Sequence, residues 1–221
     1  MTMTSVLELD SVYFAYQERK ILKDVYLKSE TGFVTGLLGR NGQGKSTLLR
    51  VWLGHFKGQS QSVRFNNSYI KQAYLKSGLV NYLPQKSFIP NNFSVAKVFK
   101  DYDLNLFTFS KRFPNFHINN NLKIKDLSGG EKRILEIYLV LESQTIFTFL
   151  DGPFSNLSPL YIEEVKNLIK SSLSRKGIVL TDHLYQHVLN ISDNISLLKD
   201  ERIHQITCIE DLESHGYLLF R

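Results

Sequence analysis

The chain has 221 residues, 43% hydrophobic and 22% charged, with a net charge of +6 and a single cysteine. This is the balance of one globular domain, and the lone Cys208 excludes an internal disulfide and fits a reducing compartment. The longest apolar run, 134–150, is broken by Glu136, Glu142, Ser143 and Gln144, and the first five residues lack a basic and apolar leader, so neither a membrane span nor a signal peptide is expected.

Residues 6–16 alternate apolar and polar side chains, the period of a strand. Gln17-Glu18-Arg19-Lys20 reads as a turn and 21–27 as a second strand region. Tyr16, just before that turn, suits stacking on a nucleotide base, although an aromatic there is by itself more often at a core or edge. Phe33-Val34-Thr35-Gly36-Leu37-Leu38 reads as a buried strand, and Thr47-Leu48-Leu49-Arg50-Val51-Trp52-Leu53 as the start of a helix with Trp52 in the core. Between them Gly39-Arg40-Asn41-Gly42-Gln43-Gly44-Lys45-Ser46-Thr47 fits the phosphate-loop pattern G-x-x-x-x-G-K-[ST]. Its glycines let backbone N–H groups turn inward around a phosphate, and the helix N-terminus adds partial positive charge. Lys45 is placed for the terminal phosphates and the Ser46 hydroxyl for Mg²⁺.

Further on, Val63-Arg64-Phe65 and Ser68-Tyr69-Ile70 flank Asn66-Asn67 as short strands, and 79–83 is a strand ended by Pro84 and followed by Gln85. Ser94 caps a helix carrying Val95, Val98 and Phe99. Residues 102–122 read as helix and loop. Phe107, Phe109, Phe113 and Phe116 there suit either a partner-docking surface or a local core. After Leu127-Ser128-Gly129-Gly130-Glu131, Ile134, Leu135, Tyr138 and Leu141 recur at helical spacing. Thr145-Ile146-Phe147-Thr148-Phe149-Leu150 is a buried parallel strand ending in Asp151. Ser158-Pro159 opens another helix, with Ile162, Val165, Leu168, Ile169 and Leu173 inward. Ile178-Val179-Leu180-Thr181 is a buried strand leading to Asp182-His183, and a hairpin around Lys199-Asp200-Glu201-Arg202 precedes a short terminal helix. Helices alternating with buried strands give an α/β fold with a mostly parallel sheet and an antiparallel N-terminal part.

Charge is unevenly spread. Residues 31–100 hold ten Lys and Arg and no acid, leaving 17 bases against all 21 acids elsewhere. Such a stretch suits a polyanionic ligand, nucleic acid, an anionic membrane surface or simply a solvated basic face.

Taken together, these motifs resemble the nucleotide-binding subunit of ATP-binding cassette (ABC) transporters, over nearly the whole chain. Gly39 to Thr47 match the Walker A loop, Gln85 the Q-loop, Ser128, Gly129 and Gly130 the signature, Asp151 the end of the Walker B strand and His183 the H-loop. Tyr16 occupies the place of the adenine-stacking aromatic. The resemblance implies a P-loop NTPase core over 1–84 and 128–221, with an antiparallel β part, and a reduced helical subdomain over 85–127. It implies ATP and Mg²⁺ as cofactors, held by Gly39, Asn41, Gly42, Gly44, Lys45, Ser46 and Thr47, with Ser46, Gln85 and Asp151 at the metal. Gln85, Asp151 and His183 are implied at the attacking water and γ-phosphate. It implies a head-to-tail dimer, in which the signature meets the partner subunit's ATP, and a separate transmembrane permease chain. The location implied is cytoplasmic, at the inner face of the cell membrane.

Departures from the family pattern sharpen the expectation. Gly152 stands where the family has a glutamate, Ser158 where its D-loop has aspartate, and Arg40 where proline is common. A missing general base costs about 10²–10⁴-fold in rate, so slow hydrolysis with retained binding is expected. Pairing with a catalytically complete paralogue, a slow homodimeric clamp, or rescue by Glu163 or Glu164 would each account for Gly152. The wording Asp151-Gly152-Pro153-Phe154 and Thr181-Asp182-His183 is similar to bacterial lipopolysaccharide-export and branched-chain amino-acid cassettes. The alternatives are an ABC protein acting on nucleic acid or the ribosome and a non-hydrolysing regulatory module. His183 and His187, four apart, also suit a metal pair, which the phosphate role of His183 outranks. Glu163-Glu164 reads more simply as a solvated helix start.

Overall fold

The structure, a computed structural model, describes residues 4–116 and 122–218. Residues 117–121 of the 85–127 stretch lie outside the described residues.

Strands β1 (Val6–Tyr16) and β2 (Arg19–Glu30) pair antiparallel, with Tyr16 opposite Arg19. The turn is therefore only Gln17-Glu18, with Gln17 at φ 53, and the expected four-residue turn loses Arg19 and Lys20 to β2. A two-residue link with a left-handed residue matches the strand twist, so the ladder runs to its end. On the other edge of β1 lie β4 (Ser60–Phe65) and β5 (Ser68–Tyr69), joined through Asn66 and Asn67 at φ 48 and 64. Asparagine tolerates this region, which is why the pair marks the hairpin.

The second sheet holds β3 (Val34–Leu38), β6 (Val80–Leu83), β7 (Phe147–Asp151), β8 (Gly177–Thr181), β9 (Asn194–Lys199) and β10 (Arg202–Ile206). Its order is β10-β9-β3-β8-β7-β6, all neighbours parallel except the β9–β10 hairpin. Every residue of β3, β7 and β8 is buried, so these strands read as unbroken apolar runs rather than as alternation.

Helix α1 (Lys45–Leu53) and the antiparallel sheet share one apolar cluster with the second sheet, in which Trp52 meets Phe149 at 4.9 Å. After α2 (Val95–Asp101) and α3 (Leu106–Arg112), α4 (Gly129–Glu142) and α5 (Pro159–Ser172) build a second. Phe109 and Phe113 pack on Tyr138 of α4 and Phe116 on Phe109, so they are local core, whereas Phe107 is 76% exposed. Ser94 caps α2 as its sequence implies, accepting from the Lys97 amide at 3.2 Å. Ser158 precedes α5, but its side chain makes no capping bond. Lys176, buried ahead of β8, donates to the Ser143 carbonyl at 2.6 Å and the Thr145 hydroxyl at 2.7 Å, closing the end of α4. Helices α6 (Tyr185–Ile191) and α7 (Ile209–Ser214) complete the chain, and among the described residues no helix is long and apolar enough to cross a membrane.

The four adjacent parallel strands β3, β8, β7 and β6 end on the same edge of their sheet. The glycine loop, Asp182-His183, Gly152 and Pro84-Gln85 leave these strand ends in that order. Ligand sites of open parallel sheets lie at this edge.

Candidate functional site

A cleft of about 520 Å³ opens there, lined by Asn41, Gly42, Gly44, Lys45, Ser46, Thr47, Gln85, Ser155, Thr181, Asp182 and His183. Most of the expected phosphate and catalytic residues are thus brought together from four strand ends. Gly44 precedes α1 at φ 103, and a Cβ there would come within 2.6 Å of Ile21, so only glycine closes the loop against β2. The open N-terminus of α1 points its amides at the cleft. Lys45 folds back over the loop, its Nζ donating to the carbonyls of Gly39 at 2.5 Å and Arg40 at 3.2 Å. Burial lowers the Lys45 pKa, while Asp151 and Asp182 oppose the shift.

Asp151 lies behind the cleft wall, 1% exposed. Its carboxylate accepts from Gln85 Nε2 at 3.0 Å and from the Tyr82 hydroxyl at 2.9 Å. Burial first, and then Asp151, push the Tyr82 phenol well above its ordinary pKa, so it stays a donor. Asp182 accepts from the amides of Phe154 and Leu184 at 2.8 and 2.9 Å, and its Oδ1 lies 3.2 Å from His183 Nδ1. That contact leaves the His183 Nε2 edge available to a ligand. Asp182, Gln85, Ser46 and Thr47 offer hard oxygen donors to the cleft, with Asp151 behind them, and the Thr181 hydroxyl is buried without a partner. This donor set fits Mg²⁺, which favours carboxylate, hydroxyl and water oxygens.

Gly152 continues β7, its amide donating to the Thr181 carbonyl at 2.7 Å, and turns at φ 66. A Cβ there would meet Ser155 Oγ at 3.3 Å and Gln85 Cγ at 3.4 Å. Both neighbours line the cleft, so a side chain at 152 would project toward it. The loop is held instead by Arg133 of α4. Its guanidinium donates to the carbonyls of Asp151, Gly152 and Pro84 at 2.7, 2.8 and 2.7 Å. Glu136 pairs with Arg133 at 3.4 Å and accepts from the Ser87 hydroxyl and the Phe88 amide at 2.6 and 2.9 Å. This buried pair ties both flanks of Gln85 and the end of β7 to α4.

Other expected site residues lie apart. Ser128, Gly129 and Gly130 sit at the start of α4, outside the cleft lining, with Ser128 and Gly129 exposed. A reciprocal capping box fixes them: Ser128 Oγ accepts from the Glu131 amide at 3.2 Å and Glu131 from the Ser128 amide at 2.8 Å. Tyr16 is 48% exposed and also outside the lining, edge-on to Phe14 at 4.9 Å. Glu163 is engaged by Lys166 at 2.7 Å, and neither it nor Glu164 lines the cleft. His187 packs on Phe154 at 5.5 Å, and among the described residues no group of three or more metal-type ligands assembles. Tyr82, Arg133, Glu136, Ser155 and Asp182 were missed by sequence reasoning. The one available signal was the charge of Glu136 between Leu135 and Ile137 in the apolar stretch of α4.

The chain matches the family model described as ABC transporter over residues 22–155, more than half its length. It is 29% identical to the lipopolysaccharide export system ATP-binding protein LptB of Acidithiobacillus ferridurans, covering 91% of this chain and 89% of that protein. The LptB protein of Escherichia coli K12 is 27% identical over 89% and 94%. A solved ATP-binding subunit of an ABC transporter superposes with a TM-score of 0.76 at 19% identity, over 96% of this chain and 93% of that one. A bacterial Atm1-family ABC exporter with ATP bound gives 0.83 at 18% identity, over 98% and 42%. With its phosphate loop, parallel sheet and signature helix accounted for, the chain belongs to the ABC transporter family.

Proposed function

We propose that the chain is the ATP-binding, energy-coupling subunit of a transporter whose membrane-spanning part is a separate chain. The observation that carries this reading is the cleft that unites the phosphate loop, Gln85 over Asp151, and the Asp182–His183 pair. ATP binds with its phosphates on residues 39–47, and Ser46, Gln85 and Asp151 would hold Mg²⁺. When bound, that ion would supply neutralisation of phosphate charge. Lys45 leaves the loop carbonyls for the terminal phosphates, His183 presents Nε2 to the γ-phosphate, and Tyr16 stacks on the base.

Ser128, Gly129 and Gly130 form a separate, exposed helix start, which supports a head-to-tail dimer. Each signature then closes on the ATP of the other subunit, through helix-terminal amides and a hydroxyl already oriented by its capping box. Residues 1–84 and 128–221 make up the nucleotide-binding core, and 85–127 a reduced helical subdomain. Where the two meet, a groove of about 490 Å³ lined by His55, Tyr74, Tyr82, Pro84, Phe88 and Tyr102 borders Gln85. A segment of the membrane partner docks there, holding this subunit at the cytoplasmic face of the membrane.

Gly152 slows the cycle. In this reading binding, positioning and metal ligation stay in place, and the carboxylate that would polarise water is absent at position 152. Pairing with a complete paralogue, whose ATP this chain's signature serves, accounts for that combination best. The test is molar mass by light scattering with MgATP, with ADP and without nucleotide. A dimer formed only in MgATP and weakened by Ser128→Ala supports the reading, alone or on mixing with a paralogue. A chain that binds MgATP yet stays monomeric with every cassette partner refutes it. Salt-sensitive RNA binding without a membrane partner would favour the nucleic-acid role. Against that role, Arg64 of the acid-free stretch is already paired with Asp10 at 3.0 Å and Glu8 at 3.7 Å.

A further inference from the structure

Arg40 belongs to the phosphate loop by sequence but does not line the cleft. It lines a second cavity, of about 230 Å³, with Gln43, Lys199, His215, Gly216 and Tyr217 among its walls. Its Nη2 donates to the Gly216 carbonyl at 2.8 Å, and its own amide donates to Gln43 Oε1 at 2.8 Å. Beside it, Lys199 Nζ donates to the His215 carbonyl at 2.7 Å. The Tyr217 phenol is raised in pKa by burial, and the adjacent Gly39 amide opposes that shift. Loop residues 39–43 are therefore gripped from outside by the segment that comes after β10.

That segment is built to hold still. At its start Asp211 accepts from the Thr207 amide and hydroxyl, both at 2.8 Å, and from the Cys208 amide at 3.2 Å. At its end Gly216, at φ 63, turns the chain so that the Tyr217 and Leu218 amides return to the Leu212 carbonyl at 2.8 and 3.2 Å. Leu212 is fully buried in a cluster with Leu38, Val188 and Leu197. Leu38 is the last residue of β3, so strand and loop are anchored to the same segment.

We infer that Arg40 is a positioning residue for the phosphate loop, and that residues 209–217 form a strap which, through Arg40, holds residues 39–43 in the conformation that receives a nucleoside triphosphate. A glycine-rich loop loses much conformational freedom when it orders around phosphate. Anchoring it beforehand removes part of that loss from binding. Linkage makes the effect reciprocal: a nucleotide that stiffens the loop also stiffens the strap. The inference rests on the nucleotide-binding function proposed for the cleft.

The test compares wild type with Arg40→Ala and Lys199→Met. Arg40 is exposed, and Lys199 donates to the strap at the His215 carbonyl rather than to residues 39–43. Titration with a fluorescent ATP analogue and Mg²⁺ is combined with amide hydrogen exchange. In wild type, MgATP is expected to slow exchange at residues 212–217. Both variants are expected to bind about fivefold more weakly and to lose that protection. Equal binding in all three overturns the strap. So does weakening by Arg40→Ala alone, which would mean that the guanidinium acts directly on phosphate. If wild type binds no MgATP, the functional reading falls, and the strap is still tested without nucleotide. Arg40→Ala should then speed exchange at 39–43, and unchanged exchange overturns it.

Discussion

Replacing Gly152 by glutamate restores the carboxylate that this site lacks, and the structure sets both the gain and the cost. On the gain side, a positioned general base contributes about 10²–10⁴-fold, equivalent to about 3–5.5 kcal/mol of barrier. The new Cβ would project between Ser155 Oγ and Gln85 Cγ, at 3.3 and 3.4 Å, with Arg133 Nη2 at 4.0 Å as a charge partner. The two tight contacts are with side chains, which can shift. On the cost side, φ 66 is a left-handed conformation, which penalises a side chain by about 1–2 kcal/mol. For a chain of this size that lowers Tm by about 2–8 °C. Phosphate release by MgATP-loaded wild type and Gly152→Glu should therefore differ by at least about tenfold in favour of the variant, even if strain displaces part of the carboxylate's effect. Thermal unfolding run alongside checks the cost. The reasoning fails if the variant folds, binds MgATP and turns over no faster than wild type. It fails equally if wild type already works near the enzyme median of about 10 s⁻¹.

Three further outcomes are expected. Arg133→Ala leaves Glu136 buried without its counter-charge and takes the guanidinium away from three carbonyls, so denaturant unfolding should show a loss of about 3–5 kcal/mol. Arg133→Met combined with Glu136→Leu should recover much of it, and no recovery would mean that the pair is not the unit. Ser128→Ala breaks one half of the capping box and should cost about 1 kcal/mol of stability, while nucleotide affinity of the isolated subunit stays unchanged in a titration. Burial, and then Arg175, hold Lys176 down at about 7. Its folded pKa lies below its unfolded value, so the unfolded chain binds more protons between pH 7 and about 10.4. Stability should rise through that window, by at most about 1.4 kcal/mol per pH unit, and Lys176→Met should flatten the rise. A flat wild-type profile from pH 7 to 9 would mean that the surrounding oxygens keep the proton on.

The parts of the molecule visible in the sequence are those whose physics is local. The phosphate loop needs glycines and a lysine at fixed spacing, and β3, β7 and β8 show as apolar runs because both sheet faces are covered. The Asn66-Asn67 hairpin and the Ser94 cap arise from residue chemistry within a few positions. Contacts whose partners are distant in sequence stay hidden. Tyr82 looks like an ordinary strand residue, yet its hydroxyl is committed to Asp151, 69 positions away. Arg133 sits on a helix whose polar residues suggest a solvated face, and only the fold reveals carbonyls at both Pro84 and Gly152. Arg40 looks like a neutral departure from a common proline, because its acceptor at Gly216 lies 176 residues on. The turn after Tyr16 is shorter than its sequence suggests for a similar reason: polar residues signal a turn, but the ladder with β2 decides how many of them it takes.

Tyr82 lines the groove beside Gln85, while its hydroxyl holds one oxygen of Asp151. Groove and carboxylate thus share a single rigid ring as a common wall. Whatever presses on that ring from the groove is felt at the aspartate without a hinge or a lid. The sharing also runs the other way. Truncating Tyr82 reshapes the groove and frees an aspartate oxygen together, so the docking and the chemistry proposed here would fall as one. Phenylalanine, which keeps the ring and removes only the hydroxyl, is the substitution that divides the two.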